Sequence, residues 1–447
     1  MHKSLKIQII SRTPPYSHFG GTAYLLDFIR YLHKKGFQIE YTIISSTPGG
    51  KTPWYVIPSS FREFVNMSAS GNFPIKFILL RFRPFLDWIF VPPRLLYNYL
   101  LPNFVKSIYR AIKKRQQQEK LHTIATINNN QIEAVDTLPT PEELAFVKSE
   151  FNRVKPDVVI ANYAWLGSVL DVLPAKTSVV KVILTHDVLH QRVAHFKQVG
   201  TASRHSNWDW ENEAIQLRKA HILLAIQSEE AKTFKEMAPL SDVICMPMSA
   251  TCKTYPSSQV RGRCLFVGSD SPHNVHGLQW FLEKVWHLVL ELNPHSNLHV
   301  CGAVGEKIQG TFPNVKFLGK VDDLSAEYGV AEVCLVPLLA GSGLKIKLVE
   351  ALSYSRACVA TTIGAQGLQE IVDKAILLAD TPNDFAAAIH QILTNPDKRR
   401  FMEEQAQAYV INRLSPESVY QPFVERIHQH LYQQATELQI TEIAKVS

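Results

Sequence analysis

Two series of short apolar runs, each run separated from the next by a helix-length stretch, narrow the folds open to this chain more than any other feature. The first series is LKIQII (5–10), FQIEYTIIS (37–45), DVVIA (157–161), VVKVILT (179–185) and ILLAI (222–226). The second follows the linker TCKTYPSSQVRG (251–262) and reads CLFVG (264–268), LHVCG (298–302), VKFLG (315–319), EVCLVP (332–337), ACVAT (357–361) and AILLA (375–379). Strand-length runs alternating with helix-length ones predict a parallel, doubly wound sheet with helices on both faces. Two such series predict an α/β chain of two Rossmann-like domains facing a cleft, with ligands beyond the carboxyl ends of the strands. At 447 residues the chain exceeds the usual single domain of about 100 to 200, which agrees with that division.

Composition excludes several alternatives. An apolar content of 46% against 19% charged residues is that of a globular protein, not a disordered one. The first apolar run is short and interrupted by Lys6 and Gln8, so it reads as a strand and not as a secretory signal. No stretch reaches the roughly 18 to 20 uncharged apolar residues that cross a bilayer. All six cysteines fall in the second half, four of them (Cys264, Cys301, Cys334, Cys358) inside strand-like runs and none in a CxxC pair. That pattern predicts reduced core thiols, no metal site and a cytoplasmic protein.

The region from about 49 to 140 is too long for an ordinary connection and is expected to be a helical insert in the first domain. Between 73 and 115 it holds nine basic residues (Lys76, Arg81, Arg83, Arg94, Lys106, Arg110, Lys113, Lys114, Arg115) against one acid, Asp87, and ten aromatics. This local excess outweighs the whole chain's net +7. After Pro102 a helix would set Phe104, Val105, Ile108, Tyr109 and Ile112 against Lys106, Arg110, Lys113 and Lys114. Two readings fit: a helix lying in an anionic membrane interface, which would place the protein peripherally on the inner face of the membrane, or a solvated basic helix packed on its own domain. Nucleic acid is not the expected partner, because the charge is local and tied to a long apolar face.

The stretch PLLAGSGLKIKLVEALSYSRACVATTIGAQG (337–367) reads as strand end, glycine turn, helix and next strand. Gly341 and Gly343 leave the backbone amides around Ser342 open to a phosphate, and a helix start adds its dipole. A tight turn feeding a packed helix is the plain alternative. Elsewhere, Gly20 and Gly21 precede an amphipathic segment, His186 and Asp187 end an apolar run in VILTHDVLHQR, and Tyr163 and Trp165 follow another in ANYAW. A histidine at a strand end is either structural or aimed at the cleft, and the aromatics either pack or stack on a sugar.

These segments together resemble the group 1 (family 4-like) glycosyltransferases of B-type fold, most closely over 263–378. In that family a glutamate, seven residues and a second glutamate open the donor-site helix; here Glu350 matches the second and Ser342 stands at the first, as in the subset that reads Gly-Ser-Gly followed by basic residues. The resemblance implies a donor site of Gly20, Gly21, Gly268, Ser269, Gly341, Ser342, Gly343, Lys345, Lys347 and Glu350, with Glu350 on ribose and the lysines on phosphate. It implies catalytic roles for His186 and Asp187 beside the transferred sugar and an acceptor side at Tyr163 and Trp165. It further implies a nucleotide-diphosphate sugar as co-substrate, no other cofactor, a glycan or lipid-linked acceptor, transfer with retention, and a first domain over 1–250, a donor domain over 251–415 and a last helix, 416–447, crossing back. A nicotinamide oxidoreductase is the less fitting class, since neither series carries G-x-G-x-x-G after an early strand. A non-catalytic nucleotide-sugar or glycan-binding relative remains, because Ser342 replaces an acid.

Overall fold

A computed structural model describes residues 4–15, 20–45, 54–81, 136–174, 178–198, 208–253, 259–340 and 345–446. Among them the first half supplies strands β1 (Lys6–Ser11), β2 (Gln38–Ile43), β3 (Trp54–Val56), β4 (Val65–Ala69), β5 (Asn72–Ile75), β6 (Ile78–Arg81), β7 (Val158–Asn162), β8 (Val180–Leu184), β9 (Ile222–Ala225) and β10 (Asp242–Cys245). Seven of these form one parallel sheet in the order β10-β9-β8-β7-β1-β2-β4. Its central strands are almost wholly buried because both faces are covered. Ile7, Ile9, Val158 and Ile160 face one core while Ile10, Val159 and Ala161 face the other, the period of two that a pleated strand imposes.

The second half forms β11 (Arg263–Val267), β12 (Asn297–Cys301), β13 (Val315–Gly319), β14 (Val333–Val336), β15 (Cys358–Ala360) and β16 (Ile376–Leu378), also parallel, in the order β13-β12-β11-β14-β15-β16. Strand order reverses between β11 and β14, and a doubly wound sheet opens its crevice at that point. All eleven expected strands are present, and Cys264, Cys301, Cys334 and Cys358 lie buried on these strands.

The Pro416–Val446 helix returns to the first half. Val419, Tyr420, Phe423, Val424 and Ile427 are buried there, with Phe28 at 5.2 Å from Tyr420 and 5.3 Å from Phe423 between ring centroids. The Tyr31 hydroxyl reaches Glu417 Oε2 at 3.0 Å and Gln421 Oε1 at 2.9 Å from the Gly20–Lys34 helix.

The expected helical insert is corrected at its start. Residues 65–69 form the edge strand of the first sheet, since Val65, Met67 and Ala69 alternate inward, and β3, β6 and β5 make a small antiparallel sheet seated through Tyr55 and Leu79. Pro74 is tolerated because β5 is an edge strand. The amphipathic segment expected from Asn103 lies outside the described residues.

At the carboxyl edge of the second sheet Gly302 has φ +101°, and a Cβ there would sit 2.0 Å from the Gly268 carbonyl oxygen. Gly319 also has positive φ but faces open space. Gly319→Ala is therefore expected to cost about 1 kcal/mol, the backbone penalty alone, and Gly302→Ala more than about 3 kcal/mol. Equal urea midpoints for the two variants would refute the close approach.

Candidate active site

The crevice between β11 and β14 is built from polar groups that hold one another. Just beyond β11, the Gly268 amide donates to the Cys301 carbonyl at 2.9 Å and the Gly268 carbonyl accepts from Val304, which keeps the turn narrow. Asn274, buried in the first turn of the Pro272–Trp280 helix, donates through Nδ2 to the Ser269 carbonyl and hydroxyl, both at 3.1 Å. Its Oδ1 is thereby turned outward and accepts from Lys347 Nζ. The Lys347 ammonium also lies 4.8 Å from the Phe266 ring centroid.

Lys345 sits at the N-cap of the Ile346–Ser353 helix, 7% exposed, with Nζ 3.3 Å from Gln366 Oε1. Burial depresses its pKa to about 8, against the opposing pull of Glu230. Burial depresses Lys347 further, to about 7, and the Lys345 charge adds to that. Among the described residues no carboxylate forms an ion pair with Lys347. Two desolvated ammonium groups at a sheet's switch point and a helix start make a site that an anion would complete. Gly341, Ser342 and Gly343 lie outside the described residues. One helical turn beyond Lys347, Glu350 Oε2 accepts from the Tyr328 hydroxyl at 3.2 Å, and Tyr328 stacks on Tyr354 at 4.5 Å. Tyr328 was not legible as a site residue, since a tyrosine between β13 and β14 carries no motif.

On the first sheet, Gly20 and Gly21 open the Gly20–Lys34 helix after β1. His186 and Asp187 follow β8, as the sequence predicts. The His186 ring pairs through Nε2 with Asn162 Oδ1 at 2.8 Å, and Asn162 Nδ2 in turn donates to Ser11 Oγ at 3.2 Å. Because that amide presents its oxygen, His186 carries its proton on Nε2 and keeps Nδ1 as an acceptor. Burial, with Arg192 nearby, pushes the imidazole down to about 3, so it is neutral at physiological pH. Asp187 Oδ2 is bonded to Arg192 Nη1 at 2.7 Å, and Arg192 Nη2 reaches Asp136 Oδ2 at 3.1 Å.

Tyr163 stacks on Trp165 at 4.0 Å and on His186 at 3.9 Å. Trp165 is itself part of the first half's core. Tyr163 therefore supports His186 directly and Trp165 supports it through Tyr163. Tyr163 holds φ +93°, a conformation costing about 1–3 kcal/mol in a residue with a side chain; its amide donates to the Leu184 carbonyl at 2.8 Å, and that bond together with the stacked rings maintains it. His190 is bound to Glu213, whose carboxylate also accepts from the Leu189 and His190 amides and caps the Leu189–Gln198 helix. Glu230, Asn162 and Arg192 are participants that sequence reasoning missed; Glu230 sits in the Ser228–Met237 helix start, where acids are ordinary N-terminal residues.

An uncompensated buried charge destabilises the empty protein, and the sign follows from the depressed pKa: the folded state disfavours the charged form at every pH below the unfolded value near 10.5. Lys347→Met is expected to raise the unfolding free energy of the ligand-free protein at pH 7 by about 1 to 3 kcal/mol and to abolish stabilisation by a diphosphate. A destabilised Lys347→Met that still responds to diphosphate would contradict this geometry.

Comparison with known proteins agrees with the geometry. Residues 261–395 match the family described as glycosyl transferases group 1. An uncharacterized 44.6 kDa protein in the cps region of Klebsiella pneumoniae is 28% identical over 137 residues, which are 28% of this chain and 35% of that protein, so the matched part spans about a third of the relative's length. Among solved structures, sucrose-phosphate synthase from Thermosynechococcus elongatus superposes with a TM-score of 0.58 at 15% identity, covering 95% of this chain and 98% of the other. TarM gives 0.61 at 11% identity with 95% and 99% covered. HepE of Anabaena, solved with UDP, gives 0.56 at 14% identity with 95% and 100% covered. Residues 261–395 are thus similar to the group 1 glycosyl transferases, and the chain shares the two-sheet fold of these solved structures.

Proposed function

We propose that the protein transfers a sugar from a nucleotide-diphosphate sugar to an acceptor hydroxyl, with retention, in the synthesis of a glycan, polysaccharide or glycolipid. The observation that carries this reading is the pair of desolvated lysines, Lys345 and Lys347, at the β11/β14 switch point. A leaving nucleoside diphosphate gains negative charge as the glycosidic bond breaks, and cations already stripped of water stabilise that charge without reorganisation. Solved neighbours in complex with UDP and UDP-glucose support a nucleoside-diphosphate donor, and retention is drawn from the resemblance to the family.

In this reading Glu350, held by Tyr328, accepts hydrogen bonds from the ribose hydroxyls, and the turn at Gly341, Ser342 and Gly343 adds backbone amides to the phosphates. Gly268 and Ser269 close the other side, with Gly20 and Gly21 reaching from the first half. Neutral His186 accepts from a hydroxyl of the transferred sugar through Nδ1, and Asp187 acts beside it through the Arg192 pair. A non-catalytic binder of the same ligand would share the lysines and Glu350, and measured hydrolysis of the donor in the absence of acceptor separates the two.

Glu350→Gln keeps the size and removes the charged acceptor, so nucleotide affinity should fall by about 1.5 to 3 kcal/mol. Calorimetry with the nucleoside diphosphate that gives the largest thermal shift tests this, and unchanged affinity would remove Glu350 from the site. His186→Ala should lower kcat at least tenfold while nucleoside-diphosphate affinity stays within about twofold, because its contact is to the sugar. Full turnover in that variant would make His186 a packing residue.

A further inference from the structure

Glu230 is a buried acid that the reading above leaves unused. It occupies the third position of the Ser228–Met237 helix, just past the carboxyl end of β9, and is 4% exposed. Its Oε1 accepts from Gln227 Nε2 at 3.0 Å, whereas Oε2 is closed off from solvent and has no hydrogen-bond partner among the described residues. Natural proteins rarely leave such an atom unmatched unless a ligand or water supplies the missing group.

The charged and titratable groups around it come from five elements. Tyr24 stands on the Gly20–Lys34 helix, its hydroxyl donating to the Met246 carbonyl at 2.8 Å, and Cys245 ends β10. Asp187, paired with Arg192 of the Leu189–Gln198 helix, lies beyond β8, and Lys345 comes from the second half. Glu230 is therefore a first-half residue close enough to feel the charge of the lysine at the start of the Ile346–Ser353 helix of the other half. Burial, reinforced by Asp187 and opposed by Gln227, the Ile226 backbone and Lys345, raises its carboxyl to about 8. At neutral pH it keeps its proton. A carboxylate beside Lys345 would repel a phosphate, but a neutral carboxyl has an O–H to give it.

We propose that Glu230 completes the diphosphate site from across the cleft, its carboxyl O–H donating to a phosphate oxygen that Lys345 also holds. The inference rests on the nucleotide-diphosphate reading and adds to it a residue from the opposite sheet. It makes donor binding a two-sided grip, with the first half sensing the phosphate directly. Raising the pH through about 8 then weakens the grip twice, as Glu230 ionises and Lys345 loses its charge.

The test is calorimetric titration of pyrophosphate, which needs no knowledge of the base, into wild type, Glu230→Gln, Glu230→Ala and Lys345→Ala at pH 7 and pH 9. Glu230→Ala should weaken pyrophosphate about tenfold at pH 7. Glu230→Gln, which keeps a neutral N–H donor, should stay within about threefold of wild type at pH 7 and fall less steeply toward pH 9, since only the lysine still titrates. Wild-type affinity in Glu230→Ala together with a loss in Lys345→Ala would overturn this inference and leave the functional reading standing. Wild type that binds neither pyrophosphate nor any nucleoside diphosphate would overturn both. Should Glu230→Ala fail to fold, the pH comparison of wild type with Glu230→Gln decides alone: identical profiles would overturn the proposal.

Discussion

Burying an ammonium group costs several kcal/mol unless something replaces its water, and the second half of this chain buries Lys345 and half-buries Lys347 beside it. Much of the crevice follows from meeting that cost in part and no further. Asn274 spends both its amide hydrogens on Ser269 so that its oxygen can face Lys347, and Phe266 offers a ring face in place of a counter-ion. Those contacts keep the charge oriented without neutralising it. A carboxylate in Asn274's place would have stabilised the empty protein and competed with the ligand.

The same economy governs the first sheet, with the sign of the problem reversed. There the site is built around a histidine kept neutral by burial and by a hydrogen bond that consumes its Nε2 proton. Holding an imidazole in one tautomer requires a fixed partner, and Asn162 is fixed by Ser11 on the adjoining strand β1. Holding the ring in one plane requires a flat support, and Tyr163 provides it by taking a strained backbone angle that the Trp165 stack helps maintain. Strain of this kind survives where surrounding contacts over-determine it, and here they are concentrated behind the His186 ring.

How far the sequence discloses all this depends on whether a feature is local. The strands buried on both faces announced themselves as largely apolar runs, and the positions of Lys345, Lys347 and Glu350 around one helix start were legible from their spacing. β10 escaped because Asp242–Cys245 is only partly covered, and β3, β5 and β6 escaped because three- or four-residue strands with a proline leave no period to read. The histidine position was legible, its protonation state was not, since that depends on Asn162 and Arg192 brought from other elements. Glu230 is the clearest case: an acid in a helix's first turn is ordinary in any sequence, and only the folded chain buries it within reach of the Lys345 charge from the other half.

That placement bears on how the two sheets cooperate. They are joined by the linker and by the Pro416–Val446 helix, which leaves the second half and buries Tyr420, Phe423 and Ile427 against the first. The helix anchors itself through apolar rings far from the crevice, with Tyr420 and Ser249 sharing Asp27 as a polar fastening. That attachment combines packed rings with polar fastenings, whereas Glu230, the first-half acid that feels the Lys345 charge, is buried with one carboxyl oxygen unmatched among the described residues. On the proposal above, an anion that accepts from Glu230 and pairs with Lys345 draws on both halves at once, so donor affinity depends on how the two sheets are held relative to each other.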